Sequence, residues 1–195
     1  VAQRYQEVPL LCGLLPEAPY VGEIGIDGSP PHRGSLDLQK SVFDRILAEC
    51  ATHGGRVMTI HSRGAATAVL DALERQPDAG VPILHWFSGT MRELERAVQI
   101  GCWFSIGPAM LRSRKGRELA AAMPLDRLLT ETDAPFARDG ENPLMPWQAY
   151  DCLGELETIS NLGMGALALQ IKRNLKRLGQ YKQSPRLTKS APLSG

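Results

Sequence analysis

A chain of 195 residues is long enough for one domain with a sizeable core and too short for two ordinary ones. With 43% hydrophobic and 22% charged residues, its composition argues against a disordered or fibrous chain. The net charge of +1 decides little, because an enzyme that grips only a few phosphates needs no more than a local basic patch.

Four cysteines, Cys12, Cys50, Cys102 and Cys152, stand far apart with no C-x-x-C pair, a spacing that favours reduced, buried thiols in a cytoplasmic protein. No apolar run approaches the roughly 20 residues needed to span a bilayer, and no charged segment followed by an apolar one opens the chain. The first residue is Val1 rather than Met, as at a processed end, a non-standard start or in a fragment.

Along the chain, residues 1–20 read as a helix with apolar positions at Tyr5, Val8, Leu11, Leu14 and Leu15, interrupted by Pro9. A strand follows at 21–27, then a helix whose Val42, Phe43, Ile46, Leu47 and Cys50 share one face. The next strand, 57–62, leads into a helix carrying Val69, Leu70 and Leu73 and closed by Pro77. After the strand at 81–88 comes Thr90-Met91-Arg92-Glu93, a capping box that starts a helix ended by Gly101. The strand at 102–107 precedes an apolar stripe of Leu119, Ala120 and Met123 stopped by Pro124, and a fifth strand covers 127–133. A Gly/Pro-punctuated loop and two helices, at about 146–160 and 163–178, complete a domain over 1–179. The polar, aperiodic segment 180–195 reads as a disordered tail.

Strand and helix thus alternate five times, which predicts an α/β protein with parallel strands joined by right-handed crossovers. No Gly-rich nucleotide fingerprint follows any strand, so a TIM-type β/α barrel is preferred to a doubly wound open sheet. Four strands carry a metal-ligand residue type near their carboxyl ends: Glu23, His61, His85 and Asp133. In a parallel barrel those ends converge on the active-site face. Imidazole and carboxylate together suit a divalent ion, and an ion with an open position acidifies water for phosphoester or amide hydrolysis.

The strings Gly22-Glu23-Ile24-Gly25-Ile26-Asp27, Ile60-His61-Ser62-Arg63, His85-Trp86-Phe87-Ser88-Gly89 and Glu131-Thr132-Asp133-Ala134-Pro135 resemble, in order, four motifs of the TatD family of metal-dependent deoxyribonucleases. Asn174-Leu175-Lys176-Arg177-Leu178 is similar to the family's last helix, so the resemblance covers about residues 7–179. It implies a β/α barrel that hydrolyses DNA with one or two divalent ions (Mg, Mn or Zn). It also implies that Glu23 bridges two ions, His61 and His85 bind the second, and Asp133 binds the first and helps to activate water. The family begins with a His-x-His strand and two further strands; no His-x-His occurs here. The chain therefore reads as the last five of eight βα units, N-terminally truncated, with at most one well-held ion. The segment 23–35, with Ser29-Pro30-Pro31-His32-Arg33-Gly34-Ser35, resembles the branch encoded beside bacterial anti-phage defence genes.

Arg63, Arg33 and Trp86 are the candidate substrate contacts: two guanidinium groups for phosphates and an indole for a base. The basic run Arg112, Arg114, Lys115 and Arg117 is a candidate backbone track. The expected function is metal-dependent phosphodiester hydrolysis of DNA, with Asp133 and Glu23 catalytic. The alternatives are amide or ester hydrolysis at the same site, or a degenerate barrel serving as a subunit. Expected partners are DNA, other proteins of a defence complex, or a chain supplying the missing strands; no membrane association is expected.

Overall fold

In a computed structural model of the chain, residues 2–181 are described, so the expected disordered tail lies from residue 182 onward outside the described residues. Five strands, β1 (Tyr20–Gly25), β2 (Arg56–His61), β3 (Gly80–His85), β4 (Trp103–Ile106) and β5 (Leu128–Thr130), form one sheet in the order β1-β2-β3-β4-β5. Every neighbouring pair is parallel. Each new strand is added beside the one before it, with no reversal. A barrel winds in this way, whereas a doubly wound sheet reverses at a switch point. Among the described residues β1 and β5 are edges, and the sheet does not close.

Helices fill the crossovers and follow the sheet: α1 (Val8–Leu14), α2 (Leu36–Thr52), α3 (Ala66–Arg75), α4 (Met91–Gln99), α5 (Pro108–Leu111), α6 (Arg114–Ala122), α7 (Leu153–Ser160) and α8 (Met164–Gly179). The expected helical faces are the buried ones: Val42, Phe43, Ile46, Leu47 and Cys50 on α2, Val69, Leu70 and Leu73 on α3, Leu119 and Ala120 on α6. At α4 the capping box forms as read, Thr90 accepting from the Glu93 amide while Glu93 accepts from that of Thr90. The first helix differs from expectation. Pro9 falls in its first turn, where a missing N–H costs nothing, and Val8, Cys12 and Leu15 are buried while Tyr5 and Leu14 are exposed.

Side chains alternate across each strand. Met58, Ile60, Leu84, Phe104, Ile106 and Leu128 join the main core with the helices, whereas Val57, Ile83 and Trp103 form a second cluster with Leu178 of α8. Tyr181, assigned above to the tail, packs against that second cluster. The alternation places His61 on the face of Val57, and His85 on that of Ile83. That face carries the site. Among the described residues no helix is long and apolar enough to cross a membrane, and all four cysteines are buried and free.

Candidate metal centre

The carboxyl ends of β1, β2 and β3 bring Glu23, His61 and His85 together, each offering one ligand atom within 4.8 Å of the others. Glu23 Oε1 lies 3.1 Å from His61 Nδ1 and 3.0 Å from His85 Nε2. The register explains the convergence. Gly25 stands opposite His61 in the β1–β2 ladder, with a shift between Val21 and Ile24 that bracketing Glu23 makes local to the site. The Gly22–Glu23 peptide is cis.

Two further carboxylates, neither among the expected site residues, complete the arrangement. Asp27 Oδ2 lies 3.1 Å from His61 Nε2, and Glu131 Oε1 lies 3.3 Å from His85 Nδ1. Each imidazole therefore turns one nitrogen to Glu23 and the other to a second acid. Ligating histidines are oriented in this manner, the outer carboxylate fixing the tautomer and raising ligand basicity. A carboxylate and two imidazoles with an outer acid on each ring form a donor set that fits a divalent ion such as Zn or Mn.

The electrostatics follow from these contacts. Hydrogen bonds from His61 and His85 hold the Glu23 carboxyl well below the usual carboxylate range. Burial by itself lowers the His85 pKa, but the bonds to Glu131 and Glu23 outweigh it and push it up to about 10. Burial raises the Asp133 carboxyl, with Glu131 and Glu23 adding to the rise against His85 and His61.

Asp133 lines the same cavity of about 830 Å³ as Glu23, His61 and His85, yet stands outside their three-ligand group. Its φ is 55° and that of Trp86 is 37°, left-handed values uncommon outside glycine, asparagine and aspartate, so that the backbone at Trp86 is the strained one. Arg63 is exposed on the cavity wall, together with His32 and Phe136. Arg33 instead turns its Nε to the Gly28 carbonyl at 3.2 Å. Trp86 is half-buried against the main core. The aromatic ring that stands open at the cavity is that of Phe136, 82% exposed. The basic run is largely engaged with protein: Arg112 with Arg138 and Asp139, Arg114 with Glu118, Lys115 with the Ser88 carbonyl and Arg117 with that of Leu111.

A parallel β/α sheet with a carboxylate and two imidazoles at its carboxyl edge has the architecture of the barrel-type metal-dependent hydrolases. More narrowly, the chain belongs to the TatD related DNase family, whose model matches residues 5–180. It is 31% identical over 119 residues to the deoxyribonuclease Tat-D of Schizosaccharomyces pombe, covering 59% of this chain and 37% of that one. With the 3'-5' ssDNA/RNA exonuclease TatD of Pantoea vagans it shares 34% identity over 125 residues, 62% of this chain and 47% of the relative. The chain thus spans less than half of either. The crystal structure of the TatD homologue YjjV from Escherichia coli superposes with a TM-score of 0.74 at 25% identity, over 89% of this chain and 69% of that one.

Proposed function

We propose that the chain is a divalent-metal-dependent phosphodiester hydrolase acting on DNA. The observation that carries this reading is the convergence of Glu23 Oε1, His61 Nδ1 and His85 Nε2, with Asp27 and Glu131 behind the two rings. Relatives named as a deoxyribonuclease and as an exonuclease of single-stranded DNA and RNA support nucleic acid as the substrate class.

Glu23, His61 and His85 hold the ion, Mg, Mn or Zn. When bound it supplies Lewis-acid polarisation of a phosphoryl oxygen and acidification of water. Asp133, on the cavity wall with a raised pKa, exchanges a proton with the attacking or leaving oxygen. Arg63, exposed at the same wall, gives the phosphate a charge-assisted donor. Glu23 belongs to ion binding and, through it, to catalysis.

The test is cleavage of a labelled single-stranded oligonucleotide with Mn added, beside a panel of aryl ester and amide substrates. Wild-type cleavage that EDTA abolishes and Glu23→Gln lacks is expected. Turnover of esters or amides alone moves the chain to another hydrolase reaction. Inactivity of wild type and variant alike, with folding intact, supports instead a degenerate barrel serving as a subunit.

A further inference from the structure

Gln39 is the one glutamine among the buried polar groups of the described residues, 8% exposed on α2, with Val42, Phe43 and Ile46 on the same buried helical face. Its carboxamide is spent on the loop that leaves β1. Oε1 accepts from the Asp27 amide at 2.7 Å, while Nε2 lies 3.1 Å from each of three acceptors, the Asp27 carbonyl, the His32 carbonyl and Ser35 Oγ. Both main-chain groups of Asp27 are thereby held by one side chain. Its carboxylate is fixed in turn, Oδ1 accepting from the Ser29 amide at 2.8 Å and Oδ2 meeting His61 Nε2 at 3.1 Å.

Resting on the metal-site reading above, we propose that Gln39 is a positioning residue for the ion, acting through Asp27 to keep Nδ1 of His61 turned towards Glu23 and His85. The geometry leaves Asp27 little choice of place. With its amide and carbonyl both clamped by a buried side chain, its carboxylate reaches the far nitrogen of His61 and not the near one. A proton retained on Nε2 leaves Nδ1 its lone pair, the form in which imidazole binds a metal. Buried amides with all partners satisfied fix a single arrangement, and removing one partner leaves the others unpaired. The clamp also sets His32, whose carbonyl it holds and whose residue lines the cavity.

The test is Mn affinity of the full chain by titration calorimetry for wild type, Gln39→Leu, Asp27→Asn and the double variant, each with its thermal midpoint. Both single variants are expected to bind Mn about 10-fold more weakly, the loss typical when the group behind a ligating histidine is removed. The double variant is expected to be no weaker than the worse single one, since both act on the same ring. A Gln39→Leu chain that melts earlier but binds Mn like wild type overturns the proposal, as do losses that simply add. Should Gln39→Leu fail to fold, Gln39→Glu, which keeps the acceptor for the Asp27 amide and loses the donor, is expected to show the same Mn loss, and unchanged affinity there overturns the proposal equally. Failure of wild type itself to bind Mn rejects the metal site, an outcome distinct from those.

Discussion

The carboxylate of Glu131 ties three strand ends together at the cluster. Oε1 accepts from the Trp86 amide at 3.0 Å and lies 3.3 Å from His85 Nδ1, while Oε2 accepts from Ser105 Oγ at 2.5 Å. Replacing it by glutamine keeps the volume but puts an NH2 where one of these donors arrives. Glu131→Gln is expected to weaken Mn binding by about 10-fold through the orientation of His85. It is also expected to destabilise the fold by about 1–3 kcal/mol through the unpaired donor. Calorimetric Mn titration and thermal melting check both, and wild-type affinity in the variant would show that His85 is held without it. Why Glu23, His61 and His85 were legible in the sequence, and Glu131, Asp27 and Gln39 were not, follows from the kind of signal each leaves. A histidine or acid ending an apolar strand is conspicuous because it is costly without a partner. Asp27 and Glu131 sit within the expected strands 21–27 and 127–133, but each shares its motif with another acid, Glu23 or Asp133, and nothing local says which of the two faces a histidine. Gln39 did leave a trace: a polar residue three, four and seven positions before Val42, Phe43 and Ile46 breaks an otherwise apolar helical face.

Elements, by contrast, were read nearly whole, and their ends were not. The strand expected at 81–88 stops at His85 because Trp86 turns to a positive φ, and the one expected at 127–133 stops at Thr130, ahead of the positive φ at Asp133. Gly25 closes β1 for a similar reason. Its φ is 130°, and a Cβ there would lie 2.1 Å from the His61 carbonyl oxygen, so only glycine lets β1 approach β2 this closely. Backbone conformation at single residues, rather than apolar pattern, thus marks where these strands end. The loop after β5 contains a two-residue hairpin, β6 (Arg138–Asp139) with β7 (Asn142–Pro143), too short for periodicity to register. The capping box of α4 was legible because its chemistry is local, and it carries a prediction. Burial opposes ionisation of Glu93, but the Thr67 hydroxyl and the Thr90 amide and hydroxyl outweigh it and hold the carboxyl below its ordinary value. A depressed folded-state pKa means stability that is present above the unfolded value of about 4.3 and is lost as pH falls through the folded value. Glu93→Ala is therefore expected to be less stable than wild type in urea at neutral pH. The gap should narrow as the pH drops below the ordinary glutamate range. A gap independent of pH would assign the effect to packing rather than to the charged cap.

At the scale of the whole molecule the decisive fact is strand order, since β1-β2-β3-β4-β5 adds each strand on the same side and, among the described residues, ends in two edges. The sequence indicated this through alternation and through the motifs at successive strand ends. What no local pattern could convey is how the face that carries the site is filled. Leu178 of α8 and Tyr181 just after it pack on Val57, Ile83 and Trp103, while Arg177 stacks over the Trp103 ring at 4.4 Å. That cover reaches the lower part of the face and leaves the edges as they are. The outer edge of β1 presents the backbone of Tyr20–Gly25 with no strand beside it among the described residues, and Tyr20 is 57% exposed there. An open strand edge is a template for pairing with another chain, and a charge placed on it is the usual protection. The chain of 195 residues is therefore expected to self-associate with rising concentration in sedimentation velocity. Tyr20→Lys is expected to reduce that association without lowering Mn affinity, because position 20 lies at the opposite end of β1 from the cluster. A wild-type chain that stays monomeric with one cooperative melting transition would show that the five-stranded arc is self-sufficient, its edges blunted by their own twist and shortness.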